Sequence, residues 1–425
     1  MFSIINKRWT AALLVILIPL STNIVMASSS NSKTIERFQL PESFVLEKTI
    51  YNSAEYANLN KSKAKYQIIN SGKLITFDSS LNYLSSQKIP QEGAAWAQDA
   101  NGSIIGMTGC KNLAFGLDEC KYITNLTTGA IILTAKDGNT FDPHELQIDK
   151  KGNFWFLSYP EIDCSVRTTL CTSFGVEKTR IFSDCQINAT NSAGLPIFTW
   201  KASEHISPAM IVRSYAKEGP RKNYVDLFHC NSIDPVDSTS VLLSSRNTNS
   251  IYLINTSTSK IIWKLGGHSQ KGVSLLTSGF KRKVGEETVA QHDARSLGNN
   301  LFSYYDNASH TTNPARGVLF KVLRTGKSQR AVMIKEFANP EQINSLCTGS
   351  MRNSDLGNVI IGWGCSLDAM TLFNSSGDPI VSLAKVKTPE TAQLFSDTPN
   401  ILNGVDWAPA FTFAMSYRVI PTKTH

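Results

Sequence analysis

The sequence predicts an all-β fold, and within that class a single-domain β-propeller of about six blades. Two observations carry this prediction. Apolar residues seldom recur at the helical period, and the chain instead repeats a polar turn followed by a short apolar strand. These repeats are spaced by roughly 40 to 70 residues with no linker-like stretch between them, which is typical of blades that carry loop insertions.

The strand units can be placed in chain order. A turn rich in Asp, Asn and Gly precedes an apolar run at 99–109, 149–159, 237–246, 296–307 and 355–364. Strand pairs joined by short polar turns are predicted at 121–138, 249–267, 317–337 and 370–384. The segment 411–420, FTFAMSYRVI, is expected to provide a closing strand beside the N-terminal segment. Blades packed in a closed ring bury the faces that each blade alone would expose.

The N-terminal residues have the pattern of an export signal. Lys7 and Arg8 precede the apolar run 11–20, and the small residues Val25 and Ala27 predict cleavage after Ala27. The sequence therefore predicts a signal peptide at 1–27 and a propeller domain at 28–425, in a protein exported to the periplasm or the extracellular space. The apolar run is short for a bilayer span, so no stable membrane insertion is expected after cleavage. A retained anchor is the alternative.

Composition narrows the range of partners. The formal net charge is +8, from 42 Lys and Arg against 34 Asp and Glu. These cationic residues are scattered, with no basic stripe interleaved with aromatic residues, so nucleic-acid binding is not expected. A net positive charge is compatible with attraction of small anions into a cleft. No oligomeric state is predicted from these features.

The chain has eight cysteines, an even number that fits disulfide bonding in an oxidising compartment. Proximity in the sequence predicts Cys110–Cys120, Cys347–Cys365 and one pair among Cys164, Cys171 and Cys185. There is no CxxC pair, so a structural zinc site of that type is not indicated. A nucleophilic pair of Cys230 with His229 is conceivable, but neighbouring side chains of a strand point to opposite faces.

Three of the seven histidines share one kind of setting. His144, His229 and His292 each lie before a strong strand and are separated from it by an Asp, Asn or Gly turn. In a propeller the inner strands of successive blades meet at one channel, so we expect these side chains to converge there. Arg246, at the end of the strand after His229, is expected at the channel mouth. The remaining histidines are interpreted as surface or terminal residues: His205, His268, His310 and His425.

An ordered series of motifs resembles the arylsulfotransferase family of exported propeller enzymes. The series covers roughly residues 140–420 and consists of DPHELQIDKKGNFWFL, DLFHCNSIDP, LLSSRNTNSIYLIN, IIWKLGG, QHDAR, YYDNA, ARGVLFKV, GNVIIGWG and SYRVI. The resemblance implies transfer of a sulfuryl group from an aryl sulfate donor to a phenolic acceptor. Neither the nucleotide sulfate donor PAPS nor a metal or other cofactor is implied.

The resemblance also implies roles for individual residues. His292 would be the nucleophile and would form a sulfohistidine. His144, His229 and Arg246 would hold the sulfuryl oxygens, and Asn231 would be a further substrate-binding residue. Several nearby residues are interpreted as structural, either beside His292 or bracing loops near the channel: Asp293, Arg295, Asp306, Asn307 and Arg316. Insertions at 160–220 and 268–290 are expected to cover the channel mouth and set specificity.

These residue types suit the implied chemistry. A neutral imidazole is a competent nucleophile near neutral pH. Arg246 offers a planar fork of donors to the sulfuryl oxygens, and His144 and His229 can donate hydrogen bonds or protonate a departing phenolate. Two alternatives stay open. One is a three-histidine metal site, which a neighbouring arginine would disfavour. The other is a non-catalytic exported propeller that binds an anionic ligand.

Overall fold

The computed structural model shows an all-β protein. It describes residues 24–26, 33–40, 45–70, 72–90, 96–111, 119–135, 140–212, 223–280, 288–309, 311–326, 328–386 and 417–422. The signal peptide predicted at 1–27 lies almost wholly outside these residues. The described helices are short: Ser53–Asn58, Thr168–Ser173 and Ala202–His205, with 3-10 turns at Leu59–Lys61, Pro208–Met210, Arg246–Thr248 and Asp355–Gly357. Across the described residues, no helix has the length and hydropathy needed to cross a membrane.

Six largely antiparallel sheets follow one another along the described chain. The first contains Ile420–Pro421, Tyr66–Asn70, Lys73–Phe77 and Tyr83–Lys88; the second contains Trp96–Gln98, Ile104–Thr108, Tyr122–Asn125 and Ile131–Thr134. The third contains Leu146–Ile148, Phe154–Ser158, Gln186–Thr190 and Pro196–Lys201; the fourth contains Cys230–Asp237, Ser240–Ser245, Ser250–Asn255 and Ile261–Leu265. The fifth contains His292–Gly298, Leu301–Asp306, Arg316–Thr325, Ser328–Ala338 and Leu276–Ser278. The sixth contains Ser350–Asn353, Val359–Gly362, Asp368–Phe373, Pro379–Lys385, Val45–Ile50, Thr34–Gln39 and Ile24–Met26.

These sheets pack in cyclic order. The strands named first in the second to sixth sheets contact one another in turn, and Ser350–Asn353 of the sixth contacts Ile420–Pro421 of the first. A buried apolar cluster lies between each sheet and the next. Between the sixth sheet and the first, Leu372 and Val381 pack with Ile68. Each sheet thus buries the apolar face of its neighbour, which is the packing expected for a β-propeller.

Polar turns determine where the strands end. The carboxylate of Asp149 accepts two backbone hydrogen bonds, at 2.8 and 2.9 Å, and Gly152 in the same turn has a φ of +79°. Asp99 and Gly102 form the same arrangement in the second sheet. The carboxylate satisfies backbone donors that the tight turn leaves unpaired, and glycine adopts the left-handed conformation at little cost. The DxxG segments therefore predict strand boundaries for a physical reason.

The two ends of the described chain each join a sheet built from the opposite end. Val45–Ile50 pairs with Pro379–Lys385 and extends the sixth sheet. Ile420–Pro421 pairs with Tyr66–Asn70 and adds a strand to the first sheet. A closing strand was expected at 411–420; its residues 411–416 lie outside the described residues, and pairing is seen from Ile420 onward.

Four disulfides join the eight cysteines: Cys110–Cys120, Cys164–Cys171, Cys185–Cys230 and Cys347–Cys365. The predictions of Cys110–Cys120 and Cys347–Cys365 are confirmed, and the pair expected within the group of three is Cys164–Cys171. Cys230 pairs with Cys185, 45 residues earlier. Because its sulfur is bonded, Cys230 is not a thiol nucleophile for His229.

A small additional sheet is built from two separate segments. Glu161–Asp163 and Ile181–Ser183 lie between the second and third strands of the third sheet, and Tyr224–Asp226 follows its fourth strand; the last two of these strands run parallel. This small sheet ends three residues before His229. The parallel pairing therefore fixes the position of Asp226 relative to that histidine.

Candidate active site

His292 opens the first strand of the fifth sheet and is almost fully buried, with 1% of its surface exposed. The pairing register shifts between His292 and Arg295, and Asp293 has a φ of +58°. An irregularity of this kind redirects side chains at the end of a strand. The Nδ1 atom of His292 lies 2.7 Å from Oδ1 of Asn307 and 3.1 Å from the carbonyl oxygen of Ala290. The imidazole is therefore oriented by two hydrogen-bonding partners.

Arg246 and His229 lie at the same end of the fourth sheet. Arg246 begins the 3-10 turn after Ser240–Ser245 and is buried. Its backbone N–H donates to the carbonyl oxygen of His229 at 3.0 Å. His229 has a φ of +47°, and its Nδ1 lies 2.5 Å from Oδ2 of Asp226. The hairpin thus brings an arginine and a carboxylate-paired histidine together.

Electrostatic effects link these groups to His292. Burial lowers the pKa of His292 well below its ordinary value, and the charges of Arg246 and His229 lower it further. Burial acts to raise the pKa of Asp226, but the charges of His229 and Arg246 and the hydrogen bonds from His229 outweigh that effect and lower it. Charge effects of this kind fall off steeply with distance. The backbone neighbours of these residues also meet, since the side chain of Gln291, next to His292, donates to the carbonyl oxygen of Ser245, next to Arg246, at 3.0 Å.

His144 joins this site through the C-terminal segment. Its Nδ1 lies 2.7 Å from Oδ1 of Asp142. Its ring centroid is 5.1 Å from that of Tyr417, which in turn is 6.2 Å from the ring centroid of His292. Burial raises the pKa of Tyr417, so its hydroxyl keeps its proton at neutral pH. Tyr417 therefore lies in contact with two of the three predicted histidines.

Asn231 is buried in the first strand of the fourth sheet, next to the strand of His292. Its Nδ2 donates to the carbonyl oxygen of Gln291 at 2.7 Å. Its Oδ1 has no hydrogen-bond partner among the described residues. Asn231 thus ties the two strands together and leaves one buried acceptor unused.

A buried network of charges lies beside the histidines. Arg418 donates to the carbonyl oxygens of His144 and Asn231, at 2.8 and 2.7 Å, and to the Glu145 carboxylate at 2.9 Å. Asp293 accepts hydrogen bonds from its network partners Arg295 and Arg352. Burial acts to raise the pKa of Asp293, but the surrounding arginines hold it well below its usual range. The network joins strands from several sheets and supports the structural interpretation of Asp293 and Arg295.

The other residues singled out in the sequence are those interpreted as structural and the histidines expected at the surface. Asp306 and Arg316 contact each other, with 3.3 Å between Oδ2 and Nε, in keeping with a structural role. Asn307 was interpreted in the same way, but it contacts His292 directly. His268 is exposed, as expected. His205 is partly buried and stacks on Trp200, with ring centroids 4.9 Å apart.

Two further predictions remain. The histidines His310 and His425, expected to be surface or terminal residues, lie outside the described residues. A three-histidine metal site was one of the alternatives. Among the residues that the structure describes, no group of three or more His, Cys, Asp or Glu side chains is arranged to hold a metal ion.

Sequence reasoning did not assign five residues to the site: Asn307, which was interpreted as structural, the carboxylates Asp142 and Asp226, and the neighbours Tyr417 and Arg418. The two carboxylates carry a local signal, since Asp142 and Asp226 stand two and three residues before their histidines. Tyr417 carries no such signal, because it reaches His144 only through closure of the chain.

Comparison with solved structures gives only weak similarities. A protein of unknown function from Bacteroides caccae is 9% identical with a TM-score of 0.44, covering 85% of this chain and 100% of that one. The hydrazine synthase of Kuenenia stuttgartiensis is 6% identical with a TM-score of 0.37, covering 83% and 81%. The Cps50 (Swd1) beta-propeller domain of Myceliophteria thermophila is 7% identical with a TM-score of 0.34, covering 87% and 90%.

Comparison at the level of sequence is more informative. No curated protein matches the chain significantly. The profile of the arylsulfotransferase (ASST) family matches residues 118–378, more than half of the chain. The matched region includes His144, His229, Asn231, Arg246 and His292. It ends before Tyr417 and Arg418. The chain therefore belongs to the arylsulfotransferase family.

Proposed function

We propose that this protein is a PAPS-independent aryl sulfotransferase that moves a sulfuryl group from an aryl sulfate to a phenolic acceptor through a sulfohistidine at His292. Membership of the arylsulfotransferase family supports the class of reaction. The observation that carries the residue assignment is the burial of His292 next to the hairpin of His229 and Arg246, to which the neighbouring Gln291 donates a hydrogen bond at the carbonyl oxygen of Ser245, at 3.0 Å. A buried, uncharged imidazole beside a permanent cation can bind an anion and attack it.

In the first half-reaction, Nε2 of His292 attacks the sulfur of the aryl sulfate. The new N–S bond forms as the bond from sulfur to the aryl oxygen breaks, and the electron pair of that bond goes to the leaving phenolate. A proton from His144 or His229 converts the phenolate to phenol. Each of these histidines lies beside a carboxylate, which can balance the charge of an imidazolium before the proton moves.

In the second half-reaction, the oxygen of an acceptor phenol attacks the sulfur of the sulfohistidine. Its proton goes to the histidine that donated one earlier, and the N–S bond breaks to return the electron pair to Nε2. The enzyme is then ready for another donor, so donor and acceptor take turns at one site. This sequence predicts ping-pong kinetics.

Arg246 is the main charge available to the sulfuryl oxygens. Negative charge spreads over three oxygens during transfer, and a planar guanidinium can bind two of them at once. Asn231, with its buried and unused Oδ1, is suited to accept a hydrogen bond from the hydroxyl of the acceptor phenol. Tyr417 adds an aromatic surface between two of the histidines.

The proposal extends to the whole chain. Residues 28–425 would form one six-bladed propeller domain, supported by the cyclic packing of the six described sheets. Export to the periplasm or the extracellular space would remove residues 1–27, including Ile24–Met26, the outermost strand of the sixth sheet. The four disulfides support an oxidising location of this kind.

A covalent adduct is the direct test. The protein is exposed briefly to 4-nitrophenyl sulfate, without acceptor, and its intact mass is measured near neutral pH. We expect the mass to rise by one SO₃ group, with the group on the peptide that contains His292. In the His292→Asn variant, we expect a folded protein with neither adduct nor turnover. Normal turnover in that variant would show that His292 is not the nucleophile.

The same preparation separates the alternatives. A transition metal present at one equivalent per chain, and required for turnover, would support a metallo-enzyme. Binding of aryl sulfates without adduct or product, across several donors, would support a non-catalytic anion-binding propeller.

A further inference from the structure

The three histidines of the site differ in the group that contacts Nδ1. His144 contacts the carboxylate of Asp142, and His229 contacts that of Asp226. His292 instead contacts the side-chain amide of Asn307 and the backbone carbonyl of Ala290. Two histidines thus have an anionic partner, while the third has neutral ones.

These neutral partners fix where the imidazole proton lies. A backbone carbonyl can only accept, so the contact at 3.1 Å with Ala290 requires Nδ1 of His292 to carry the proton. The amide of Asn307 agrees with this assignment. Its Nδ2 donates to the carbonyl oxygen of Thr348 at 2.8 Å and lies 3.4 Å from Oγ of Ser345, which leaves Oδ1 facing His292. The lone pair of the ring is therefore on Nε2.

The surroundings of His292 favour an uncharged ring. Burial and the charges of Arg246, His229 and Arg418 lower its pKa, whereas the hydrogen bond with Asn307 acts in the opposite direction as a smaller effect. The ring of Tyr417 faces His292 edge-on and brings no full charge of its own. A carboxylate in place of the Asn307 amide would add an attractive charge within hydrogen-bonding distance of the ring.

We propose that Asn307 is a positioning residue that selects His292 as the nucleophile. Its neutral amide holds the Nδ1–H tautomer without supplying a charge. Nε2 therefore keeps a free lone pair although the cations Arg246 and Arg418 lie nearby. The carboxylate-paired His144 and His229 are left to act as proton donors and ligands for oxygen. This inference rests on the proposed function, in that it explains which of three histidines attacks sulfur.

The first test needs no activity. Nitrogen-15 NMR of the wild-type protein distinguishes the two imidazole tautomers and the imidazolium by their ring-nitrogen shifts. We expect the His292 ring to be neutral and protonated on Nδ1 from about pH 6 to pH 8. An imidazolium, or a proton on Nε2, within that range would overturn the proposal even if the protein transfers sulfate. A protein without any sulfo adduct, but with the expected tautomer, would instead count against the proposed function alone.

The second test changes the charge of the partner. In Asn307→Asp we expect the acid limb of the single-turnover rate of nitrophenolate release to move up by roughly one to two pH units, since a carboxylate at this distance favours the charged ring. At the pH of the wild-type acid midpoint the rate should fall by roughly fivefold to fiftyfold, and at high pH it should recover most of the wild-type value. A rate lowered equally at every pH would mean that Asn307 has only a structural role.

A matched variant controls for the added charge. Asn344 lies in the same loop as Thr348, and its Nδ2 also donates to a backbone carbonyl, that of Thr311 at 2.9 Å. Asn344→Asp should leave the acid limb where it is in the wild-type protein. An equal shift in both variants would assign the effect to general charge rather than to the partner of His292. If Asn307→Asp does not fold, the NMR measurement on the wild-type protein still decides the proposal.

Discussion

The disulfide between Cys185 and Cys230 links the stability of the fold to the geometry of the site. Cys185 directly precedes the strand Gln186–Thr190 of the third sheet, and Cys230 opens the first strand of the fourth. Cys230 also stands between His229 and Asn231 in the sequence. The double variant Cys185→Ala, Cys230→Ala should therefore weaken the packing between the third and fourth sheets next to His229 and Asn231.

The size of the effect follows from the closed loop. With a separation of 45 residues, loop-closure entropy predicts a loss of about 4 kcal/mol in the free energy of unfolding. Cys164–Cys171 encloses a separation of only 7 residues, for which the same relation predicts about 2.4 kcal/mol. The double variant Cys164→Ala, Cys171→Ala is thus a matched control, since all four of these cysteines are buried.

Urea unfolding of the two double variants and the wild-type protein measures this difference. We expect the variant without Cys185–Cys230 to be the less stable by about 1–2 kcal/mol, and to form the sulfo adduct at least tenfold more slowly than the control. The reasoning is refuted if the two variants unfold at the same urea concentration. It is equally refuted if the loss of Cys185–Cys230 leaves the rate of adduct formation unchanged.

Three further predictions concern charge. Replacing Arg246 with Gln should lower the transfer rate by about a hundredfold to a thousandfold. The variant Arg246→Lys should retain more of the wild-type rate than Arg246→Gln does, but not all of it. Steady-state rates with 4-nitrophenyl sulfate measure both effects. Because burial and nearby cations lower the pKa of His292, the wild-type rate should persist on acidification below the ordinary histidine value of about 6.5; a half-maximal rate near that value would contradict it. Burial raises the pKa of Asp234 to about 6, above its unfolded value of 3.8. Its protonated form therefore stabilises the fold at low pH, and that contribution is lost as the pH rises through about 6. Asp234→Asn should raise the free energy of unfolding at pH 8 by up to about 3 kcal/mol, with the gain vanishing near pH 4, as measured by urea unfolding at the two pH values.

The sheets were predictable because their boundaries have local causes. A turn such as Asp149 to Gly152 is specified by a carboxylate that accepts backbone hydrogen bonds and by a glycine in the left-handed conformation. Both residue types are visible in the sequence. The apolar runs after such turns pack against the next sheet, so the order of the strands also follows from the order of the runs.

The histidine site was only partly predictable. His229 and Arg246 meet because one hairpin joins them, and this contact is local. Asn307 meets His292 at the two ends of another hairpin, but the contact depends on the irregular register after His292. No glycine marks that irregularity, since the positive φ falls on Asp293. Alternation along a regular strand could not reveal it.

Contacts between distant segments were the least predictable. Tyr417 lies more than 270 residues after His144, and the two meet only because Ile420–Pro421 pairs with a strand near the other end of the chain. Asp226 depends on the parallel pairing of a small sheet whose strands come from two separate segments of the chain. In both cases the sequence around the residue is ordinary, and its role comes from the topology.

The late position of Tyr417 and Arg418 has a consequence for biosynthesis. A nascent polypeptide that has not yet emerged beyond residue 416 possesses the predicted histidines and Arg246, but it lacks the guanidinium that bridges His144, Glu145 and Asn231. Under the proposed function, the site is therefore complete only after residues 417–421 have been translated and Ile420–Pro421 has paired with Tyr66–Asn70. On the same basis, proteolytic removal of residues 417 onward would abolish transfer while leaving His144, His229 and His292 intact.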